Sequence, residues 1–150
     1  MIFICFCGIR TKLVIILQSK IYASGEDYLK TILVLQKKLG VVRSTDIAQY
    51  LNVTRPSVCQ AMTALQKNGF VFRDKRHFLY LTEAGRDLAE KIYERHCFFT
   101  GWFISMGISR EKAEFDACRI EHVISSETFE KIKEQVMNKW KFRSITETTL

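Results

Sequence analysis

Proline is nearly missing from this sequence, with one residue in 150, and glycine is sparse at seven. A turn-rich all-β sandwich needs far more of both, which excludes that class. No GxGxxG run occurs, nor GxxxxGK followed by Ser or Thr, so the phosphate-cradling loops of nucleotide enzymes are absent. No nucleophile stands beside a base and a third orienting group, and catalysis is not expected. The five cysteines (Cys5, Cys7, Cys59, Cys97, Cys118) are odd in number and follow no framework spacing. A reducing cytoplasm is therefore expected rather than a disulfide-stapled secreted fold.

Long hydrophobic runs are lacking too. Met1–Gln18 is strongly apolar, but Gly8, Arg10, Thr11 and Lys12 cut it into short pieces. Neither approaches the roughly 20 residues of a membrane span. Gln18-Ser19-Lys20 offers no small-residue cleavage site. No membrane partner is expected. Residues 1–23 are set apart as an apolar extension, either packed or upstream sequence included by a misassigned start. Cys5-Phe6-Cys7 within it reads as burial rather than as a metal site.

Acidic charge is scarce in the first half alone. Residues 1–82 carry twelve basic and four acidic side chains, a net of +8, whereas residues 83–150 carry eleven and twelve, a net of −1. The 47% apolar and 26% charged fractions are those of an ordinary globular protein. A basic module that binds a polyanion, joined to a near-neutral second module, fits this asymmetry.

Periodicity supplies the elements. Ser24-Gly25-Glu26-Asp27 opens a helix that carries Tyr28, Leu29, Ile32, Leu33, Leu35 and Leu39 on its apolar face and ends at Gly40. Ser44 caps a short helix through Tyr50, with Ile47, Ala48 and Leu51 inward. After a tight turn at Leu51-Asn52-Val53, Thr54 caps a third helix to Lys67, with Pro56 harmless in its first turn. Phe70-Val71-Phe72 and Phe78-Leu79-Tyr80-Leu81 form a hairpin with a basic tip. Thr82-Glu83 opens a long helix to about Met106, closed by Gly107. Ser109 caps a helix over Arg110–Ile124, Ser126 caps another to about Trp140, and 141–150 is expected to be a loose tail. The expected fold is mainly α: a winged helix-turn-helix over 24–82, then an all-helical domain over 83–140.

Thr54, Arg55, Pro56, Ser57 and Gln60 stand at the start of the third helix, where a helix-turn-helix reads the major groove. Arg pairs bidentately with guanine and Gln with adenine, while Ser and Thr bond phosphate or base. Arg73, Lys75 and Arg76, with His77, form a wing tip suited to backbone phosphate. Double-stranded operator DNA, palindromic for a dimer, is the expected partner. The alternative is a winged helix used for protein contact. Cys59, beside Gln60, reads as a half-buried filler or a thiol switch.

The sharpest signal lies in Asp116-Ala117-Cys118-Arg119-Ile120-Glu121-His122. Cys118, Glu121 and His122 fall at i, i+3 and i+4, which stacks thiolate, carboxylate and imidazole on one side of a helix. Three such donors need one or two more groups to enclose a divalent ion. Glu114, one turn earlier, extends the stripe, and His96 on the preceding helix is placed to face it. The same pattern also suits a polar helix face with one buried cysteine.

At these residues the chain resembles the diphtheria toxin repressor family of metal-dependent transcriptional regulators. Its length is nearer the two-domain, manganese-regulator branch. The resemblance covers about Ser24 to Lys133. It is carried by Gly25-Glu26-Asp27-Tyr28-Leu29, Arg43-Ser44-Thr45-Asp46-Ile47-Ala48, Arg55-Pro56-Ser57-Val58, Leu81-Thr82-Glu83-Ala84-Gly85-Arg86 and Ile92-Tyr93-Glu94-Arg95-His96. Asp116 to Ser125 is its most specific stretch. The resemblance implies a homodimeric repressor of metal uptake or homeostasis genes. It also implies an Fe2+ or Mn2+ ion that sets the spacing of the DNA-reading helices. It makes Asp27 a ligand from the first helix, matches Cys118, Glu121 and His122 to the main metal motif, and His96 to the second site. Lys30 departs from it, standing where the manganese branch has a glutamate ligand, and argues against a binuclear centre. Cys118 departs as well, because a thiolate there favours softer ions. Two other readings remain: a winged-helix regulator sensing oxidation at Cys59, Cys97 or Cys118, and a small metalloenzyme using Glu121 or His122 as acid or base. Phe98, Phe99, Trp102 and Phe103 are candidates either for the dimer face or for an intrachain core.

Overall fold

A computed structural model of the chain describes residues 25–147, with side chains described through 138. The readings placed on residues 1–24, including Ser24 as a helix cap, lie outside the described residues. Helix α1 covers 25–39 and is followed by α2 (Ser44–Leu51) and α3 (Arg55–Lys67). A hairpin of β1 (Val71–Arg73) and β2 (Leu79–Leu81) comes next, then α4 (Glu83–Ser105), α5 (Arg110–Ile120) and α6 (Ser126–Glu147). The mainly helical, winged fold expected from periodicity is the one observed. By the packing of its backbone the chain divides into two compact units that meet inside α4, between Lys91 and Ile92.

The N-terminal unit is built on a core of Leu29, Ile32 and Leu33 from α1, Ile47 from α2, Val58 and Met62 from α3, and Val42 and Leu79 beside the hairpin. Leu39, expected inward, is exposed, because α1 outruns this core and ends at Gly40 with φ 79°. Helix α2 starts one position earlier than expected. Arg43 occupies the cap position and its backbone N–H donates to the Asp46 carboxylate at 2.7 Å, while Ser44 is the first helical residue. Asn52 closes α2 in the left-handed region, φ 52°, a conformation asparagine tolerates well. That turn delivers Thr54 to cap α3, where its Oγ1 accepts from the Ser57 backbone N–H. A cap of this kind contributes about 1 kcal/mol.

Antiparallel β1 and β2 pair Val71 with Leu81 and Arg73 with Leu79. Val42 adds a bridge on the other side, with the Leu79 N–H donating to its carbonyl at 2.8 Å. At the tip, Asp74 Oδ1 accepts from the backbone N–H groups of Arg76 and Phe78, and His77 takes φ 64°. The start of α4 is then drawn onto this hairpin. Thr82 N–H donates to the Phe70 carbonyl, and a Cβ placed on Gly85 would lie 2.0 Å from the same oxygen. Only glycine fits there, which explains Gly85 within the Leu81–Arg86 motif.

The C-terminal unit packs Phe99 of α4, Ala117 of α5 and Phe129 of α6 into one cluster, with Phe98, Trp102, Phe103, Ile120 and Ile124 against it. Phe99 of the aromatic run is thus intrachain core, and Phe98, Trp102 and Phe103 pack against it half-buried. The Phe98 and Phe129 rings meet edge to face at 5.4 Å, as do Phe98 and Phe99. Lys133 of α6 donates to Glu94 of α4, and this bond holds the lysine pKa above its ordinary value. Two boundaries differ from expectation. Helix α6 is capped by Ser125, whose Oγ accepts from the Thr128 N–H, rather than by Ser126. It also continues to Glu147, through most of the segment expected to be a loose tail. Replacing Gly85 by alanine is expected to destabilise the fold by about 1–3 kcal/mol through overpacking, despite alanine's better helix propensity. Urea denaturation measures this, and an unchanged midpoint would show that α4 does not press on Phe70.

Candidate metal centre and nucleic-acid interface

Helix α5 stops at Ile120, earlier than the Ile124 expected, and the metal motif straddles its end. Glu121 is the C-cap, still with φ −57° and ψ −29°, and 122–124 form a turn. The tightening is visible in the backbone, where the Val123 and Ile124 N–H groups both reach the Ile120 carbonyl, at 3.1 and 3.2 Å. Arg95 of α4 explains why the chain turns there. Its guanidinium donates to the Glu121 and Ile124 carbonyls, at 3.0 and 3.2 Å, and to Ser126 Oγ at 2.9 Å. One cation thus satisfies the orphan carbonyls of a helix C-terminus, where the dipole favours positive charge.

That turn brings the donors together. Ligand atoms of Cys118, Glu121 and His122 all lie within 4.8 Å of one another. Glu121 is fully buried, at 0% exposure, and the His122 side chain retains only 6%. Glu121 Oε2 is 2.8 Å from His96 Nδ1, and its Oε1 is 3.3 Å from His122 Nε2. A buried carboxylate is tolerated only when paired, and here it is ringed by imidazoles. The combination of thiol, carboxylate and imidazole is the donor chemistry of a borderline divalent ion, so these residues fit one.

Glu114 stands apart. It is exposed and pairs with Arg110 at 3.4 Å. It lies a turn before Cys118 along the helix and is not among the donors that come together. Asp27 belongs to the N-terminal unit, in the first turns of α1, with Lys30 Nζ 3.2 Å from its Oδ1. Lys30 retains 13% side-chain exposure, so it lies against the protein and pairs with the carboxylate. Sequence reasoning missed Arg95 as the organiser of the motif. The available signal was a basic residue one position before His96, which has no periodicity of its own.

In the N-terminal unit, Thr54, Arg55, Pro56, Ser57 and Gln60 are all exposed at the start of α3. Thr54 and Ser57 share a hydroxyl–hydroxyl hydrogen bond at 2.8 Å. Lys75 and Arg76 are exposed at the wing tip, while Arg73 is half-buried with Nη2 3.5 Å from Ser44 Oγ. Cys59 is exposed rather than a half-buried filler, because it lies on the outer side of α3 from Val58 and Met62. An open cleft of about 550 Å3 runs between α3 and the wing, lined among others by Arg43, Arg55, Arg73 and Arg76. Arg43 was not singled out from sequence, since a residue ahead of α2 shows no periodicity toward α3.

A winged reading head joined to a helical unit with a buried thiol–carboxylate–imidazole cluster defines a metal-dependent DNA-binding regulator as the class. Family models agree in both halves: residues 20–78 match the iron dependent repressor N-terminal DNA binding domain, and residues 82–139 match the iron dependent repressor metal binding and dimerisation domain. The chain belongs to the iron dependent repressor family. It is similar to the transcriptional regulator MntR of Salmonella typhimurium, 32% identical over 105 residues, covering 70% of this chain and 67% of that protein. The HTH-type transcriptional regulator MntR of Geobacillus kaustophilus is 31% identical over 113 residues, covering 75% and 80%. Among solved structures, IdeR of T. acidophilum superposes with a TM-score of 0.64 at 28% identity, covering 74% of this chain. The manganese regulator SloR gives 0.68 at 25% identity, covering 75%. In both cases the chain spans about half of the solved structure, 53% of its length. Membership in a repressor family sets aside the metalloenzyme reading. Among the described residues no helix is long and apolar enough to cross a membrane.

Substituting Arg95 by glutamine is expected to cost about 1.5–3 kcal/mol, the range for hydrogen bonds to a charged group. Chemical denaturation of metal-free protein measures it. A loss below that range would mean that the turn after α5 holds its shape without the guanidinium.

Proposed function

We propose that this chain is a dimeric repressor that binds palindromic operator DNA when a divalent ion, Mn2+ or Fe2+, occupies the cluster around Glu121. The observation that carries this reading is the fully buried Glu121 carboxylate, flanked by His96 and His122 with Cys118 alongside. An ion there compensates the buried negative charge that the imidazoles otherwise hold by hydrogen bonds. Cys118, Glu121 and His122 are the proposed ligands, with His96 as a further ligand or the outer partner that orients Glu121. Asp27 is proposed as a further ligand. Its hard oxygen suits Mn2+ or Fe2+, while the Cys118 sulfur tilts the balance toward Fe2+.

The ion supplies a charge-dense cross-link and nothing more, since no reaction is catalysed. Differential affinity for the DNA-competent arrangement is what allows it to act as a switch. Lys30 puts a fixed positive charge beside Asp27, which favours one ion per subunit over two. Thr54, Arg55, Pro56, Ser57 and Gln60 are proposed to meet base edges and phosphate, with Arg73, Lys75 and Arg76 on the backbone. The target genes are those of metal uptake or homeostasis, and the location is the cytoplasm. SloR is described as a manganese regulator, and the family model as an iron dependent repressor.

Titration calorimetry with Mn2+ and Fe2+ tests the ligand set. His122→Ala and Glu121→Ala are each expected to weaken binding at least about 10- to 100-fold while circular dichroism keeps its helical form. Undiminished affinity in both variants would contradict the assignment.

A further inference from the structure

Cys59 has no part in the function proposed above, yet its surroundings are unlike those of any other described cysteine. It is free and exposed on α3, one turn after Arg55 and one position before Gln60. Residues at i and i+4 are neighbours on a helix surface, so Arg55 lies beside the thiol. The cleft between α3 and the wing adds to this. Cys59 lines it together with Arg43, Arg55, Arg73, Arg76 and His77, and no acidic side chain does. Among the described residues none of the four arginines forms an ion pair with a carboxylate. Arg73 Nε is buried and has no hydrogen-bond partner. Buried donors left this way are rare in folded proteins and call for an acceptor from outside. Arg43 is held in position, with its guanidinium 4.6 Å from the centre of the Phe78 ring.

Cys97 offers the contrast. It is equally free and exposed, but its neighbours one turn away along α4 are Gly101 and Glu94, the latter bound to Lys133. Exposed, electropositive surroundings are where reactive cysteines are found. A cleft lined by one sign of charge also concentrates ligands of the opposite sign.

We propose that Cys59 is a modification site for small anionic disulfides of the glutathione type, gathered by the arginines of the cleft, and that its mixed disulfide takes the protein off DNA. Release from DNA rests on the DNA-binding reading above, whereas the modification does not. In the step itself the Cys59 sulfur, its proton lost to solvent, attacks one sulfur of the disulfide. A new S–S bond forms, the reagent's own S–S bond breaks, and the departing thiolate takes up a proton. Cys59 is oxidised and the departing sulfur reduced, so no further oxidant is needed. The adduct puts bulk and net negative charge on the helix that carries Arg55, Ser57 and Gln60. Thiols reverse it. Oxidation of the thiol pool thereby becomes a second input to the repressor, separate from the ion.

The test treats the full chain, loaded with Mn2+, with glutathione disulfide or with the uncharged disulfide of mercaptoethanol, and maps adducts over time by mass spectrometry. The ratio of the Cys59 rate to the Cys97 rate is expected to be at least about 10-fold larger with the anionic reagent, the low end of the gain from a charged cleft. Arg43→Gln and Arg76→Gln are each expected to shrink that advantage without changing the rates of the uncharged reagent, and Arg43→Lys to keep most of it. Equal ratios with the two reagents, or arginine variants that change nothing, would overturn the site. After glutathione disulfide, a fluorescent duplex is expected to bind at least about 10-fold more weakly, because like charges are brought together. Dithiothreitol is expected to restore binding. Cys59→Ser is expected to bind the duplex as the unaltered chain does and to be indifferent to the treatment. An equal loss in Cys59→Ser would place the effect on another cysteine and overturn the switch. Unaltered protein that binds no duplex at low salt would remove the DNA-binding reading and the switch together, while the rate ratio still decides the modification site.

Discussion

A carboxylate with no solvent exposure, inside the smaller helical unit, is the constraint on which the rest depends. Burying Glu121 is costly unless its charge is met, and the surrounding structure is arranged to meet it. His96 and His122 approach its two oxygens from α4 and from the turn after α5. Arg95 caps that turn and ties its two ends to Ser126, so the ring of donors is held by packing as well as by chemistry. The buried carboxylate, the thiol and the imidazole beside it together have the donor chemistry that fits a divalent ion.

The other unit solves a different problem, that of presenting charge outward. Its core is small, and the reading helix is aimed by a succession of backbone devices. Asn52 turns the chain in the left-handed region, Thr54 caps α3, and Gly85 allows α4 to press on Phe70 and brace the hairpin. What results is a surface on which arginines from α2, α3 and the wing converge. Four of the twelve basic side chains of residues 1–82 thus line one cleft.

Much of this was legible in the residues. Apolar spacing placed α1, α3 and α4, and the glycines at 40 and 107 marked ends that do adopt positive φ. The Cys118–Glu121–His122 spacing correctly singled out residues whose donor atoms come together. It did so for a partly mistaken reason, since Glu121 and His122 stand at and beyond a helix end rather than along one helix face. Where α5 stops is decided by Arg95, a tertiary partner 26 residues earlier, and no local pattern contains that information. Glu114 looked equivalent to its neighbours and is not, because spacing alone does not show that its carboxylate is taken up by Arg110 at the exposed surface. The aromatic run of α4 was ambiguous between core and interface. The arrival of Phe129 from α6 makes Phe99 core and leaves Phe98, Trp102 and Phe103 half-buried. Arg43 and the cleft were invisible because they join elements that are distant in sequence.

Metal and DNA are linked in this account by a coupling free energy, and such couplings are reciprocal. The most direct test is to measure duplex affinity with and without saturating Mn2+ or Fe2+, and ion affinity with and without saturating duplex, at one salt concentration. The account predicts that the ion tightens duplex binding by about 5-fold or more and that duplex tightens ion binding by the same factor. Duplex affinity unchanged between chelator and saturating ion would contradict it, and the chain would then be a DNA-binding protein whose buried carboxylate controls nothing.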